Sequence, residues 1–194
     1  MAQLYFRYGA MGCGKTMQLL QVAFNYEERG QKVCVIKPAT DTKNGTKLLT
    51  RIGPERDTNF TVDRRTNIFN RIKKEYSDVD CVLVDESQFL TAKQVDQLME
   101  VVIKLNIPVI CYGLRTDFTG RAFPGSGRLL ELADNLEEIP TICWCGHKAR
   151  FEARVCDGKM VTEGEQVALG GNDMYISLCR KHFMNGDIGP AFVK

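Results

Sequence analysis

Residues 3–16, QLYFRYGAMGCGKT, decide the fold. QLYFRYG (3–9) reads as a β-strand, and Gly9, Ala10, Met11, Gly12, Cys13, Gly14, Lys15 and Thr16 then satisfy the phosphate-loop pattern G-x-x-x-x-G-K-[ST] in full. A helical pattern closed by Gly30 follows at once, KTMQLLQVAFNYEERG (15–30). Strand, glycine loop and helix in that order let the helix N-terminus and successive backbone N–H groups converge on a polyphosphate. Gly12 and Gly14 permit a close backbone approach that side chains would block. Lys15 is expected to reach the β- and γ-phosphates of ATP, and the Thr16 hydroxyl to ligate Mg²⁺.

Working outward, KVCVIKP (32–38), DCVLVDE (80–86) and IPVICYGL (107–114) are continuous apolar runs, as strands buried on both faces require. Helical patterns separate them. One covers about 67–76, and a second has Thr91 as N-cap and Val95, Leu98, Met99, Val102 and Ile103 along one face. Residues 39–60 are polar and read as a loop, and a short helix ends near Asp134. The fold class expected over residues 1–140 is α/β, a parallel sheet of the P-loop NTPase type with flanking helices. The strand ending in Asp85 and Glu86 supplies the companion signal: Asp85 on the Mg²⁺ side, Glu86 as a base toward an attacking oxygen. Phe89, Phe118 and Phe123 lie close to the carboxyl edge of that sheet, where flat aromatic rings suit a nucleobase.

The 194 residues carry 26 basic and 24 acidic side chains, a net charge of +2, so no nucleic-acid-binding surface is signalled. No apolar run is long enough to cross a membrane, and the N-terminus does not read as a secretory signal, which points to a cytoplasmic, reducing setting. Clustered cysteines in such a setting more often bind metal than form disulfides. Cys34, Cys81 and Cys111 sit in apolar runs and read as buried thiols, and Cys156 as structural.

After Pro140 the character changes, and residues 141–194 read as a small C-terminal domain with a hairpin at Asp157-Gly158. In TICWCGHKA (141–149), strand alternation would place Cys143 and Cys145 on one face. Cys179 and His182 form a second pair, and Cys₃His is a tetrahedral zinc set. His147 shares the strand face and competes for the fourth position. Closure by two pairs from separated segments favours His182.

GAMGCGKT, DESQF (85–89), YGLRTDFTGRAF (112–123), the cysteine pair followed by Gly146, and LGGNDMYISLCRKH (169–182) occur in an order that closely resembles the type II, zinc-bearing thymidine kinases, over essentially the whole chain. The resemblance implies transfer of the γ-phosphoryl of ATP to the 5′-hydroxyl of thymidine or deoxyuridine. It implies Glu86 as the base, and the phosphate loop with Asp85, Ser87 and Gln88 around Mg-ATP. Met11, Phe89, Leu114, Phe118 and Phe123 would line the base pocket, with Phe118 stacked on thymine. A lasso-like loop, Gln166 through Tyr175, would close over the nucleoside, with Val167, Gly170, Gly171 and Tyr175 the best matched, making the C-terminal part a ribbon-like zinc and lasso domain. A homotetramer inhibited by dTTP is also implied. Cys143-Trp144-Cys145 stands where many members have C-x-x-C, and His182 where others carry Cys.

Two other activities fit parts of the pattern. A nucleic-acid-dependent ATPase with a zinc ribbon would also use a strand-end Asp-Glu, although the near-neutral charge counts against it. A thymidine monophosphate kinase would need cations for the acceptor phosphate, for which Arg115, Arg121 and Arg128 are candidates.

Overall fold

The computed structural model describes residues 1–39, 45–50, 53–164, 166 and 174–190. The chain opens with β1 (Leu4–Tyr8) and α1 (Lys15–Glu27), then β2 (Val33–Pro38), a small hairpin of β3 (Lys47–Leu49) and β4 (Glu55–Asp57), and β5 (Phe60–Val62). Helix α2 (Ile68–Glu75) leads to β6 (Cys81–Val84), a single 3₁₀ turn over Ser87–Phe89, α3 (Ala92–Glu100), a π turn over Val101–Leu105, and β7 (Val109–Gly113). After α4 (Pro124–Leu132) and β8 (Asn135–Glu138) come β9 (Thr141–Ile142), β10 (Lys148–Ala149), β11 (Phe151–Cys156), β12 (Lys159–Val161), β13 (Met174–Leu178) and α5 (Arg180–Asn185).

Six strands form one sheet in the order β5-β2-β6-β7-β1-β8, and every neighbouring pair is parallel. The fully buried strands β2, β6 and β7 are the apolar runs of the sequence. One face packs Phe6, Ile36, Val84 and Val109 against Leu98 of α3 and Leu129 of α4, and the other packs Val35, Leu83 and Tyr112 against Leu19 and Ala23 of α1. Cys34, Cys81 and Cys111 are core thiols, and burial pushes Cys34 and Cys81 up to about 12, which keeps both unreactive.

Three expectations need correction. The polar stretch 39–60 contains the β3-β4 hairpin and runs into β5, and β8 adds a further strand beyond Asp134. Thr91 caps α3 through a capping box with Gln94, as its sequence suggests, but the face drawn through Ile103 breaks. The π turn inserts extra residues per turn and rotates Ile103 outward to 65% exposure while Val102 stays buried. Cys143 and Cys145 do not lie on a strand, because β9 ends at Ile142 and the two cysteines occupy the turn that joins it to β10.

The C-terminal strands form the β9-β10 pair and a three-stranded antiparallel sheet, β12-β11-β13. Asp157 and Gly158 both adopt positive φ, 48° and 72°, and make the tight turn between β11 and β12. Among the described residues no helix is long and apolar enough to cross a membrane.

Candidate active site and metal cage

The phosphate loop connects the carboxyl end of β1 to α1, with Gly12 and Gly14 at φ 76° and 86°. Those left-handed values suit glycine and aim the intervening amides into the loop. Lys15 is buried, and its Nζ donates to Gly9 O at 2.8 Å and Ala10 O at 3.0 Å. Gly9 admits no side chain, since a Cβ there would lie 2.5 Å from Ile139 O.

The strand-end acids meet this loop across the sheet. Thr16 Oγ1 donates to Asp85 Oδ2 at 3.0 Å, while Asp85 Oδ1 is buried with no hydrogen-bond partner. Burial pushes the Asp85 carboxyl up to about 7, with Glu86 adding to the shift. An orphaned carboxylate oxygen beside a threonine hydroxyl is the donor pair a Mg²⁺ ion would complete, so the residues fit the expected cation.

Glu86 stands in a left-handed conformation, φ 48° and ψ 37°, which is costly for a residue with a side chain and concentrates at functional sites. Gln88 holds it: Nε2 donates to Glu86 Oε2, and Oε1 accepts from Leu114 N at 3.0 Å. Ser87 donates to Tyr112 O at 2.9 Å, so both Ser87 and Gln88 face inward and brace the turn.

Phe89 and Phe123 meet edge to face, with centroids 5.6 Å apart. Phe118 is buried, and the Arg154 guanidinium lies over its ring, 5.4 Å from the centroid. Asp117 fixes this loop. Its Oδ1 accepts from Thr119 N, Thr119 Oγ1 and Arg121 N, and its Oδ2 accepts from Gln166 Nε2 at 2.7 Å, the first residue of the expected lasso. A cavity of about 250 Å³ opens between Met11 and Tyr175, with Ile142 and Trp144 on its wall. Val167, Gly170 and Gly171 lie outside the described residues. Of the three arginines noted, Arg128 is engaged by Asp96 at 2.7 Å and Glu131 at 2.8 Å.

Two residues at the site were not anticipated. Glu152 on β11 is buried, and its Oε1 accepts from Met11 N at 2.6 Å. Burial pushes its carboxyl up to about 7; the Met11 amide and Lys15 oppose that shift, and Glu86 adds to it. Ser177 on β13 donates to Met11 O at 2.8 Å. In the sequence both look like polar members of alternating strands, whose partner side is taken to be water. Here that side is the phosphate loop.

Cys143, Cys145, Cys179 and His182 bring their ligand atoms within 4.8 Å of one another. His182 Nδ1 lies 3.4 Å from Cys143 Sγ and 3.5 Å from Cys179 Sγ, and Cys145 Sγ lies 3.9 Å from Cys179 Sγ. A tetrahedron with Zn–S of about 2.3 Å and Zn–N of about 2.0 Å has edges of roughly 3.5–3.8 Å, so the cluster suits a structural metal of that kind. Its shape comes from the turn: Cys143 N donates to His147 O, and Gly146, at φ 82°, donates back to Cys143 O. His147 approaches Cys145 alone, at 3.5 Å, and stands outside the four. Trp144 stacks on His182 with centroids 4.3 Å apart, and Asp187 stands 3.8 Å from His182 Nε2. The backbone N–H of His182 draws the Cys179 thiol below its ordinary range, which favours the thiolate that a metal needs.

These parts define a P-loop nucleotide-binding protein whose phosphate loop is gripped by a C-terminal module built around a Cys₃His cage. The sequence pattern of the thymidine kinase family matches residues 2–183, and the chain belongs to that family. Relatives described as thymidine kinases include one from Aliivibrio fischeri, 49% identical over 187 residues that span 94% of this chain and 97% of its own. One from Salmonella typhimurium is 50% identical over 187 residues, 94% of this chain and 91% of its own. One from Francisella tularensis subsp. holarctica is 46% identical over 195 residues, 96% of this chain and 98% of its own. The nucleoside kinase expected from the sequence is therefore borne out at the level of family and activity.

Proposed function

We propose that this chain transfers the γ-phosphoryl group of ATP to the 5′-hydroxyl of thymidine, and of deoxyuridine, giving the nucleoside 5′-monophosphate and ADP, with Glu86 as the general base. The observation that carries the assignment of Glu86 is its left-handed conformation, locked by Gln88 one residue beyond the Asp85–Thr16 contact. Glu86 takes the 5′-hydroxyl proton, the freed oxygen attacks the γ-phosphorus, and the bond to the β-phosphate oxygen breaks as ADP leaves. Lys15 exchanges its two loop carbonyls for phosphate oxygens, and the loop amides from Gly12 onward bind the remaining phosphate charge, the Met11 amide being held by Glu152. Mg²⁺, when bound at Asp85 and Thr16, would offset charge on the β- and γ-phosphates.

Residues 1–140 form the nucleotide-binding unit in this reading, and residues 141–194 carry the zinc cage and the lasso. Met11, Phe89, Leu114, Phe118 and Phe123 bound the base, and thymine takes the place over Phe118 that Arg154 covers. Val167, Gly170, Gly171 and Tyr175 close over the nucleoside. Zinc in the cage, a cytoplasmic setting, assembly as a homotetramer and inhibition by dTTP belong to the same reading, supported by the resemblance to type II members.

The test pairs a substrate panel with one variant. With γ-labelled ATP, label should move to thymidine and deoxyuridine and not to their monophosphates; turnover driven by DNA or RNA alone would overturn the reading. Glu86→Gln should bind ATP as the wild type does while phosphorylation falls by roughly 10²–10⁴-fold. Near wild-type turnover in that variant would remove Glu86 from the role of base.

A further inference from the structure

Met11 is held from both sides by the C-terminal module. Its N–H donates to Glu152 Oε1 at 2.6 Å, and its C=O accepts from Ser177 Oγ at 2.8 Å. The two gripping residues come from different strands but are direct cross-strand partners in the β11-β13 ladder. One rung of that sheet therefore closes on one residue of the phosphate loop. The Ser177 hydroxyl donates to the Met11 carbonyl and also lies against the Glu152 carboxyl, so the two gripping side chains support each other as well as the loop. Glu152 is only 3% exposed, which removes water as a competing partner for the Met11 amide.

The position of this rung matters. Strand β13, Met174–Leu178, takes up the last two residues of the stretch assigned to the lasso, and Ser177 stands two residues beyond Tyr175. At its other end the lasso is tied through Gln166 to Asp117, whose second oxygen organises the loop carrying Phe118. A nucleoside in contact with Tyr175, which shares a cavity wall with Met11 and Ser177, thus bears on β13, and β13 bears on Met11. The amides that receive phosphate oxygens begin at the peptide Ser177 orients, and misplacing such donors by about 1 Å costs on the order of 10²-fold.

We propose that the Glu152–Ser177 pair is a positioning clamp that couples the two substrate sites, so that nucleoside binding prepares the phosphate loop for ATP. The clamp rests on the functional reading above, in which residues 166–175 cover the nucleoside. Linkage makes the effect reciprocal: thymidine must tighten ATP by the same factor by which ATP tightens thymidine.

The experiment is calorimetric titration of the full chain with a non-hydrolysable ATP analogue, with and without saturating thymidine. In the wild type, thymidine should lower the analogue's Kd by about five-fold or more. Ser177→Ala and Glu152→Leu should each bring that ratio to within about two-fold of unity, and the double variant should lose no more than either alone, because both act on one residue. Glu152→Gln keeps an acceptor for the Met11 amide and should keep the coupling, a rescue that a purely structural role does not predict. Should a variant fail to fold, hydrogen exchange on the wild type suffices: thymidine alone must slow the Met11 amide. Coupling that survives in folded Ser177→Ala and Glu152→Leu, or two substrates that bind independently in the wild type, overturns the clamp and leaves the kinase assignment standing. Failure of the same preparation to phosphorylate thymidine overturns the assignment, and the clamp with it.

Discussion

Two carboxyl groups are buried beside the phosphate loop, and each has an oxygen without a hydrogen-bond partner, Asp85 Oδ1 and Glu152 Oε2. Burial pushes both up to about 7, but their situations differ. A divalent cation at Asp85 would stabilise its anion directly. Glu152 has the Met11 amide, Lys15 and the Ser177 hydroxyl to offset lost hydration, and Glu86 works against it. Its ordinary value is 4.5, so between about pH 4.5 and 7 the folded chain holds a proton that the unfolded chain has released. Stability therefore falls as pH rises through that window, by up to about 1.4 kcal/mol per unit, and levels off above it. Glu152→Gln has no proton to lose and retains the Met11 bond. Urea titrations should find it more stable than the wild type at pH 8, with the two converging toward pH 5. A gap of constant size across that range would show that Glu152 does not titrate there.

At the scale of elements, the turn over Ser87–Phe89 and the start of α4 are packed closely enough that only glycine fits at residue 125. A Cβ on Gly125 would lie 2.6 Å from Ser87 O and 2.7 Å from Leu90 O, both backbone atoms with little room to move. Gly125→Ala should cost about 1–3 kcal/mol by overpacking. The displaced backbone is the turn that carries Glu86, so kcat should drop further than the KM for ATP rises; equal changes in both would place the damage elsewhere. Such close approaches leave no mark in a single sequence, and the same holds for several strands. Runs such as VCVI, CVLV and VICY announce themselves because burial on both faces demands unbroken apolar residues. β5 has three residues, and β8, Asn-Leu-Glu-Glu, lies at the sheet edge with its two central residues exposed, so neither had an apolar run to show. The phosphate loop, the strand-end acids and the Cys₃His cluster were legible because their chemistry constrains residue type at fixed spacing. Glu152 and Ser177 were not, because a polar residue facing a loop and one facing water look alike in an alternating strand.

Across the whole molecule, a metal held by the Cys₃His cluster would carry a burden that the rest of the C-terminal module cannot. That module's own core is small, Ala149, Phe151, Ala153, Leu178 and Phe183 around Cys143 and Cys179. A core of that size rarely supplies more than about 3–5 kcal/mol, whereas zinc in small Cys/His domains contributes roughly 10–16 kcal/mol. Metal removal should therefore loosen the module while the parallel sheet, with helices on both faces, stays folded. The consequence does not end at the module, since its β11-β13 rung grips Met11. Treating the protein with a chelator under reducing conditions should abolish hydrogen-exchange protection in β9 to β13 and α5, leave β2, β6 and β7 protected, and raise exchange at the Met11 amide. Affinity for the ATP analogue should fall in step with that last change, although no metal ligand touches the phosphate loop, and added zinc should restore both. If the module keeps its protection without metal, the cage does not hold it together; if the module loosens while Met11 and ATP affinity are unchanged, its grip on the loop has no energetic weight.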